Sequence, residues 1–269
     1  MKKTTVLAVL IVFIFTLCFT ACDDFFSKSK GNFRTYDPAK IDINAGNVNK
    51  WLRAAVGNPA LSEAITKAIL IKLQNPNIKP ADKAALLKAG LRLAVESSGL
   101  GISLISHAAG LLGDIDNLDE DAIKELLSKI QKDFDSGGGL NAAAAIAQMV
   151  NGSITTEDDI PKFDPSYSDT IQPGEVAEAV MVLVLGLLNE QELSVDSPGD
   201  EWNKLGDLAA ELGIAPDDSH ATYVVYSGDN PNALALAAYL NLIADNSMDG
   251  TWDNPLTNAI FDSYLPNHH

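Results

Sequence analysis

Asn58-Pro-Ala-Leu-Ser-Glu-Ala-Ile-Thr-Lys-Ala-Ile-Leu-Ile-Lys-Leu73 is the stretch on which the fold class turns. Asn58 can accept a hydrogen bond from the first free amides of a helix, and Pro59 suits the first helical position, where no amide partner is needed. Behind them Leu61, Ile65, Ala68, Ile69 and Leu73 recur at steps of three and four, which gathers them on one face of a helix. The segment therefore reads as an amphipathic helix of about four turns, with a start signal and a core-facing stripe.

The same grammar repeats in both directions. Upstream, Asn47 can cap Val48 to Val56, with Gly57 as the stop. Downstream, Pro80 opens Ala81 to Ser97, with Leu87, Leu91 and Val95 aligned. Leu100 to Leu112 is apolar and rich in small residues. Asn117 caps Leu118 to Phe134, where Ile123, Leu126, Leu127 and Ile130 form a stripe opposite Lys124 and Lys129. Asn141 begins the alanine-rich Ala142 to Val150, and Pro173 opens a helix whose centre, Ala179 to Leu188, is nearly all apolar. Glu201 to Leu212, Asn232 to Ala244 behind Asn230-Pro231, and Leu256 to Tyr264 behind Asn254-Pro255 complete the series. Asn151 to Gln172 has no period and reads as irregular. Tyr223 to Tyr226 reads as a short strand or a helical turn.

About ten short helices with few strand signals predict an all-α fold, an array of helical hairpins. Trp202, Leu205 and Gly206 resemble the opening of a tetratricopeptide repeat, although the Ala and Pro positions that should follow are missing. Gly137-Gly138-Gly139 is the expected hinge between two lobes, residues 47–136 and 140–269.

The N-terminus sets the expected compartment. Lys2 and Lys3 precede an unbroken apolar run, Val6 to Phe15, which continues through Leu17 to Phe19 and ends at Thr20-Ala21-Cys22. A charged start, an apolar centre and a small residue before the cut form an export signal, and the run is shorter than the roughly 20 residues a membrane span requires. Phe19-Thr20-Ala21-Cys22 resembles a lipobox, where a bacterial lipoprotein is diacylated on cysteine, with fatty acids such as palmitate, and cut in front of it. Phe19 stands where that motif usually has Leu, as in the relaxed lipoboxes of spirochaetal lipoproteins. The resemblance implies a signal peptide over residues 1–21, a lipid on Cys22, and a membrane-anchored chain facing the periplasm or the cell surface. Two or more acyl chains suffice for stable anchoring. Residues 22–46, rich in Ser, Lys, Gly and Asn, read as a flexible tether.

Composition removes several kinds of chemistry. Both cysteines, Cys18 and Cys22, lie in the signal region, so the processed chain has no thiol for a disulfide, a nucleophile or a thiolate zinc site. His107 and His220 are isolated, and His268-His269 end the chain. The net charge is −17, and it is unevenly placed. Residues 22–135 carry fifteen basic and fifteen acidic side chains, whereas residues 136–269 carry 21 acidic and only two basic, Lys162 and Lys204. Nucleic acid and anionic lipid are poor partners for such a surface; cations and basic proteins are better ones.

One segment carries a metal pattern. Asp245-Asn-Ser-Met-Asp-Gly-Thr-Trp-Asp253 resembles an EF-hand loop over nine positions. Asp245, Ser247 and Asp249 fall at its first side-chain ligand positions, Gly250 at the sharp turn, Thr251 at the carbonyl position and Asp253 at the ninth, which implies calcium as the possible cofactor. Leu256 stands where the loop's bidentate Glu belongs. Asp114, Asp116, Asp119, Glu120 and Asp121 suit a helix N-terminus instead.

No nucleophile and base stand in a recognisable motif, so the leading expectation is a lipid-anchored, non-enzymatic helical scaffold for an envelope protein partner. A carrier of a small apolar ligand or lipid would need a closed apolar cavity between helices such as Ala179–Leu188 and Leu100–Leu112. An enzyme would need Asp158, Asp159 and Asp164 gathered in a cleft.

Overall fold

The computed structural model describes residues 36–100, 129–135, 138–190 and 223–248. Cys22, His107, His220, the Asp114–Asp121 acids and the helices expected at Glu201–Leu212 and Leu256–Tyr264 lie outside them. Eight helices and one two-stranded sheet make up the described residues, an all-α protein. No helix among them is long and apolar enough to cross a membrane.

The first helices form where the caps stand. α1 is Val48–Ala55, α2 Pro59–Leu73 and α3 Pro80–Ser97. Asn58 Oδ1 accepts the Leu61 amide at 3.1 Å, and Leu61, Ile65, Ala68 and Ile69 are buried. Asn47 does stand at the start of α1, but its side chain faces the preceding loop. It donates to the Asp42 carbonyl at 2.9 Å and accepts from the Asn44 amide at 2.9 Å. Gly57 ends the turn with φ 68°. The expected tether therefore stops short of residue 46. Ile43 is fully buried, and the Trp51 indole donates to Asp42, so this stretch is docked on the domain.

Of the three-glycine run expected as a hinge between two lobes, Gly138 and Gly139 are among the described residues. Residues 129–135 are helical, and α4, Gly139–Asn151, starts behind Gly138 at φ 93°, a conformation that costs L side chains energy. A Cβ on Gly139 would collide with the Phe134 ring. Ala142, Ala143, Ile146, Ala147 and Val150 of α4 are all buried in one continuous core that runs from Ile43 to Ile243. α4 packs on α2 and α3 on one side, and on α6 (Pro173–Glu190) and α7 (Pro231–Met248) on the other. A helix with four partners is a hub. Small side chains permit the hub: a Cβ on Gly186 of α6 would sit 2.6 Å from the Ala143 Cβ.

The stretch expected to be irregular, Asn151 to Gln172, contains a hairpin and a short helix. β1 (Ile154–Glu157) pairs antiparallel with β2 (Ile160–Phe163), and α5 is Pro165–Ser168. The two-residue turn, Asp158-Asp159, has φ 50° and 60°. Positive φ at both positions matches the twist of the flanking strands. Pro161 and Phe163 face the core against α7, while Ile160 and Lys162 face outward.

A polar clip joins these parts. Asn241, fully buried in the middle of apolar α7, donates to the Pro161 carbonyl at 2.8 Å and to the Val224 carbonyl at 2.9 Å. Its Oδ1 accepts the Val224 amide at 2.6 Å. Tyr223 to Tyr226 is consequently neither strand nor helical turn; it is a loop segment that Asn241 grips at Val224.

Candidate binding cleft

Lys162 leaves the outward face of β2 and reaches the last turns of α7. Its Nζ stands 3.1 Å from Asp245 Oδ1 and 3.7 Å from the centre of the Tyr223 ring. The Tyr223 hydroxyl donates to the same Asp245 oxygen at 2.5 Å. Burial works against the Lys162 ammonium, but its hydrogen bonds to Tyr223 and Asp245 and the negative charge of Asp245 outweigh it and hold its pKa above the ordinary lysine value. One of the two cations in the acidic half is thus fixed in place.

Beside this cluster opens a cleft of about 370 Å³. Buried Phe163, Ile171 and Leu242 form its floor. Lys162, Asp245, Asn246, Asp169, Gln172 and Ser168 form its rim. An aromatic group supports the floor: Phe163 meets Tyr167 at 4.6 Å and Tyr239 at 4.8 Å between ring centres. The Tyr167 and Tyr239 hydroxyls share a hydrogen bond of 2.6 Å, and burial drives both phenols upward in pKa. Ring packing with a satisfied polar pair fixes the floor in shape. The volume lies at the small end of ligand pockets, enough for one or two side chains.

The calcium-loop residues fare differently. α7 continues through Met248, so Asp245 and Ser247 are helical. The Asp245 carboxylate already accepts from an ammonium and a phenol. Asp249, Thr251 and Asp253 lie outside the described residues. Among the described residues no group of three or more acids, histidines or cysteines is placed to hold a metal ion.

Asp158 and Asp159 form the exposed hairpin turn, and Asp164 caps α5 by accepting the Tyr167 amide at 3.2 Å. None of the three lines the cleft. Ala179 to Leu188 is core, closely packed on α4. Sequence reasoning noticed Lys162 as a rare cation but could not pair it with Asp245, which lies 83 residues away. Tyr223 and the Tyr167–Tyr239 pair carried no signal. No protein-family description, curated protein or solved structure matches the chain.

Proposed function

We propose that this chain is a lipid-anchored lipoprotein of a bacterial envelope, and that its helical domain is a non-enzymatic scaffold holding a partner protein. The observation that carries the reading is the open cleft at Lys162, with an apolar floor and a hydrogen-bonding rim. Interfaces concentrate their affinity where an anchor side chain fills a pocket of this kind and a polar rim keeps water out. A carrier of an apolar ligand would need the opposite design, an enclosed cavity without the charges of Lys162, Asp169 and Asp245. The Cys22 lipid would keep the scaffold on its membrane, and the acidic second half would favour a basic partner.

Native mass spectrometry of the protein, released gently from its own membrane, tests this. The expected result is an acyl mass on Cys22 and a protein bound in fixed ratio, which Gln172→Arg in the cleft releases. A lone chain carrying a small apolar mass would overturn the scaffold and put a lipid carrier in its place.

A further inference from the structure

The hairpin has one closed edge and one open edge. Its register pairs Ile154 with Phe163, Thr155 with Lys162, Thr156 with Pro161 and Glu157 with Ile160. The Asp164 amide donates to the Ser153 carbonyl at 2.9 Å, which fixes the alternation. Thr155–Lys162 and Glu157–Ile160 are the hydrogen-bonded pairs, so Ile154, Thr156, Pro161 and Phe163 direct their main-chain groups away from the partner strand.

On the β2 side the outward groups of Pro161 are blocked or used. Pro161 has no amide, and its carbonyl accepts from Asn241 at 2.8 Å. The neighbouring Asp159 carbonyl holds the Tyr226 amide at 2.8 Å. On the β1 side Thr155, Thr156 and Glu157 are exposed, and no hydrogen bond among the described residues reaches the outward groups of Ile154 and Thr156. Among the described residues these two amides and two carbonyls have no partner, and in strand geometry they are a template for another strand.

Charge selects the occupant. Glu157, Asp158 and Asp159 are exposed at one end of the edge, and Lys162, the hairpin's own cation, is engaged by Asp245. A second copy of this chain would bring the same three acids and a net charge of −17. We propose that the outer edge of β1 accepts an extended segment of a partner protein, bearing lysine or arginine, as a third strand. The surface is separate from the cleft, so the inference stands whatever the cleft holds.

The probe is a labelled eight-residue peptide of alternating lysine and valine, blocked at both ends. Amide exchange in the wild-type protein is read first: the peptide should slow exchange at Ile154 and Thr156. Thr156→Pro removes the outward amide without touching the β1–β2 ladder, as Pro161 already does directly across. It should weaken peptide binding by about tenfold or more, whereas Thr156→Val should stay within about twofold. Unslowed exchange at both amides overturns the proposal, as does equal binding by Thr156→Pro. A peptide-free dimer that Thr156→Pro dissociates also overturns it, by giving the edge to a second copy. If Thr156→Pro fails to fold, the exchange measurement decides alone.

Discussion

Lys162 of β2 and Asp245 of α7 meet at 3.1 Å, and with Tyr223 they tie the hairpin to the end of the last described helix. Both side chains are 38% exposed, so solvent screens the pair and its Coulomb energy is modest. A double-mutant cycle of Lys162→Met and Asp245→Asn should give a coupling of about 1 kcal/mol or less. Urea unfolding measures it. A coupling several times larger would mean that the cluster acts as a buried ion pair.

Asn241 should matter more than that charged pair. Asn241→Ala leaves the Val224 amide and carbonyl and the Pro161 carbonyl without their partner inside the core. Each stranded buried group costs on the order of 1 kcal/mol or more, so the expected loss is about 3 kcal/mol. The unfolding midpoint reports that loss. Faster amide exchange at Val224 should accompany it, because the Asn241 Oδ1 is the acceptor of that amide.

Packing at the hub gives a test of a different kind. Gly186→Ala would place a methyl group 2.6 Å from the Ala143 Cβ, with α4 behind it unable to retreat from four neighbours. Overpacking of this size costs about 1–3 kcal/mol. Ala143→Gly in the same chain should recover much of it, although glycine inside a helix carries its own cost of about 1 kcal/mol. Thermal melts of the two single variants and the double variant decide the matter. Additive losses would place the strain elsewhere.

The helices were legible because their signals are local. Asn58-Pro59, Pro80, Pro173 and Asn230-Pro231 each mark a start, and the apolar stripe behind each needs no distant information. The hairpin was not, since its strands are four residues long, one contains Pro161, and the turn is Asp-Asp without glycine. The glycine run was ambiguous for a related reason. Glycine serves flexibility and tight turns alike, and only the nearness of Phe134 to Gly139 separates the two. The cleft was invisible because its residues come from β2, from α5 and the segment after it, and from the C-terminal half of α7. One clue did stand in the sequence: Asn241 interrupts a long apolar run, and a polar side chain there demands partners.

The hairpin turn can be improved. Asp158 and Asp159 hold φ of 50° and 60°, conformations that asparagine and glycine adopt more cheaply. The combined change Asp158→Asn and Asp159→Gly should stabilise the protein by about 0.5–1 kcal/mol, seen as a higher melting temperature. No change, or a loss, would mean that the carboxylates themselves hold the turn.

Glu178 sets the pH dependence of the seam between α3 and α6. Burial is the largest influence and raises its pKa from 4.5 to about 7; Arg92 opposes the shift and Glu175 adds to it. Lys88 turns to Glu175, 3.4 Å away, and to the Thr170 carbonyl, so the charge of Glu178 meets little direct compensation. A carboxyl with a folded pKa above its unfolded value binds its proton more tightly in the native state. Its contribution is therefore complete below pH 4.5 and is lost as pH rises to about 7. The loss is on the order of 3 kcal/mol at most. Glu178→Gln keeps the shape and removes the titration. The variant should be more stable than the wild type at pH 8, and the gap should narrow steadily towards pH 5. Chemical unfolding at half-unit steps across that window measures both curves. Parallel curves would show that Glu178 is already solvated in the native protein.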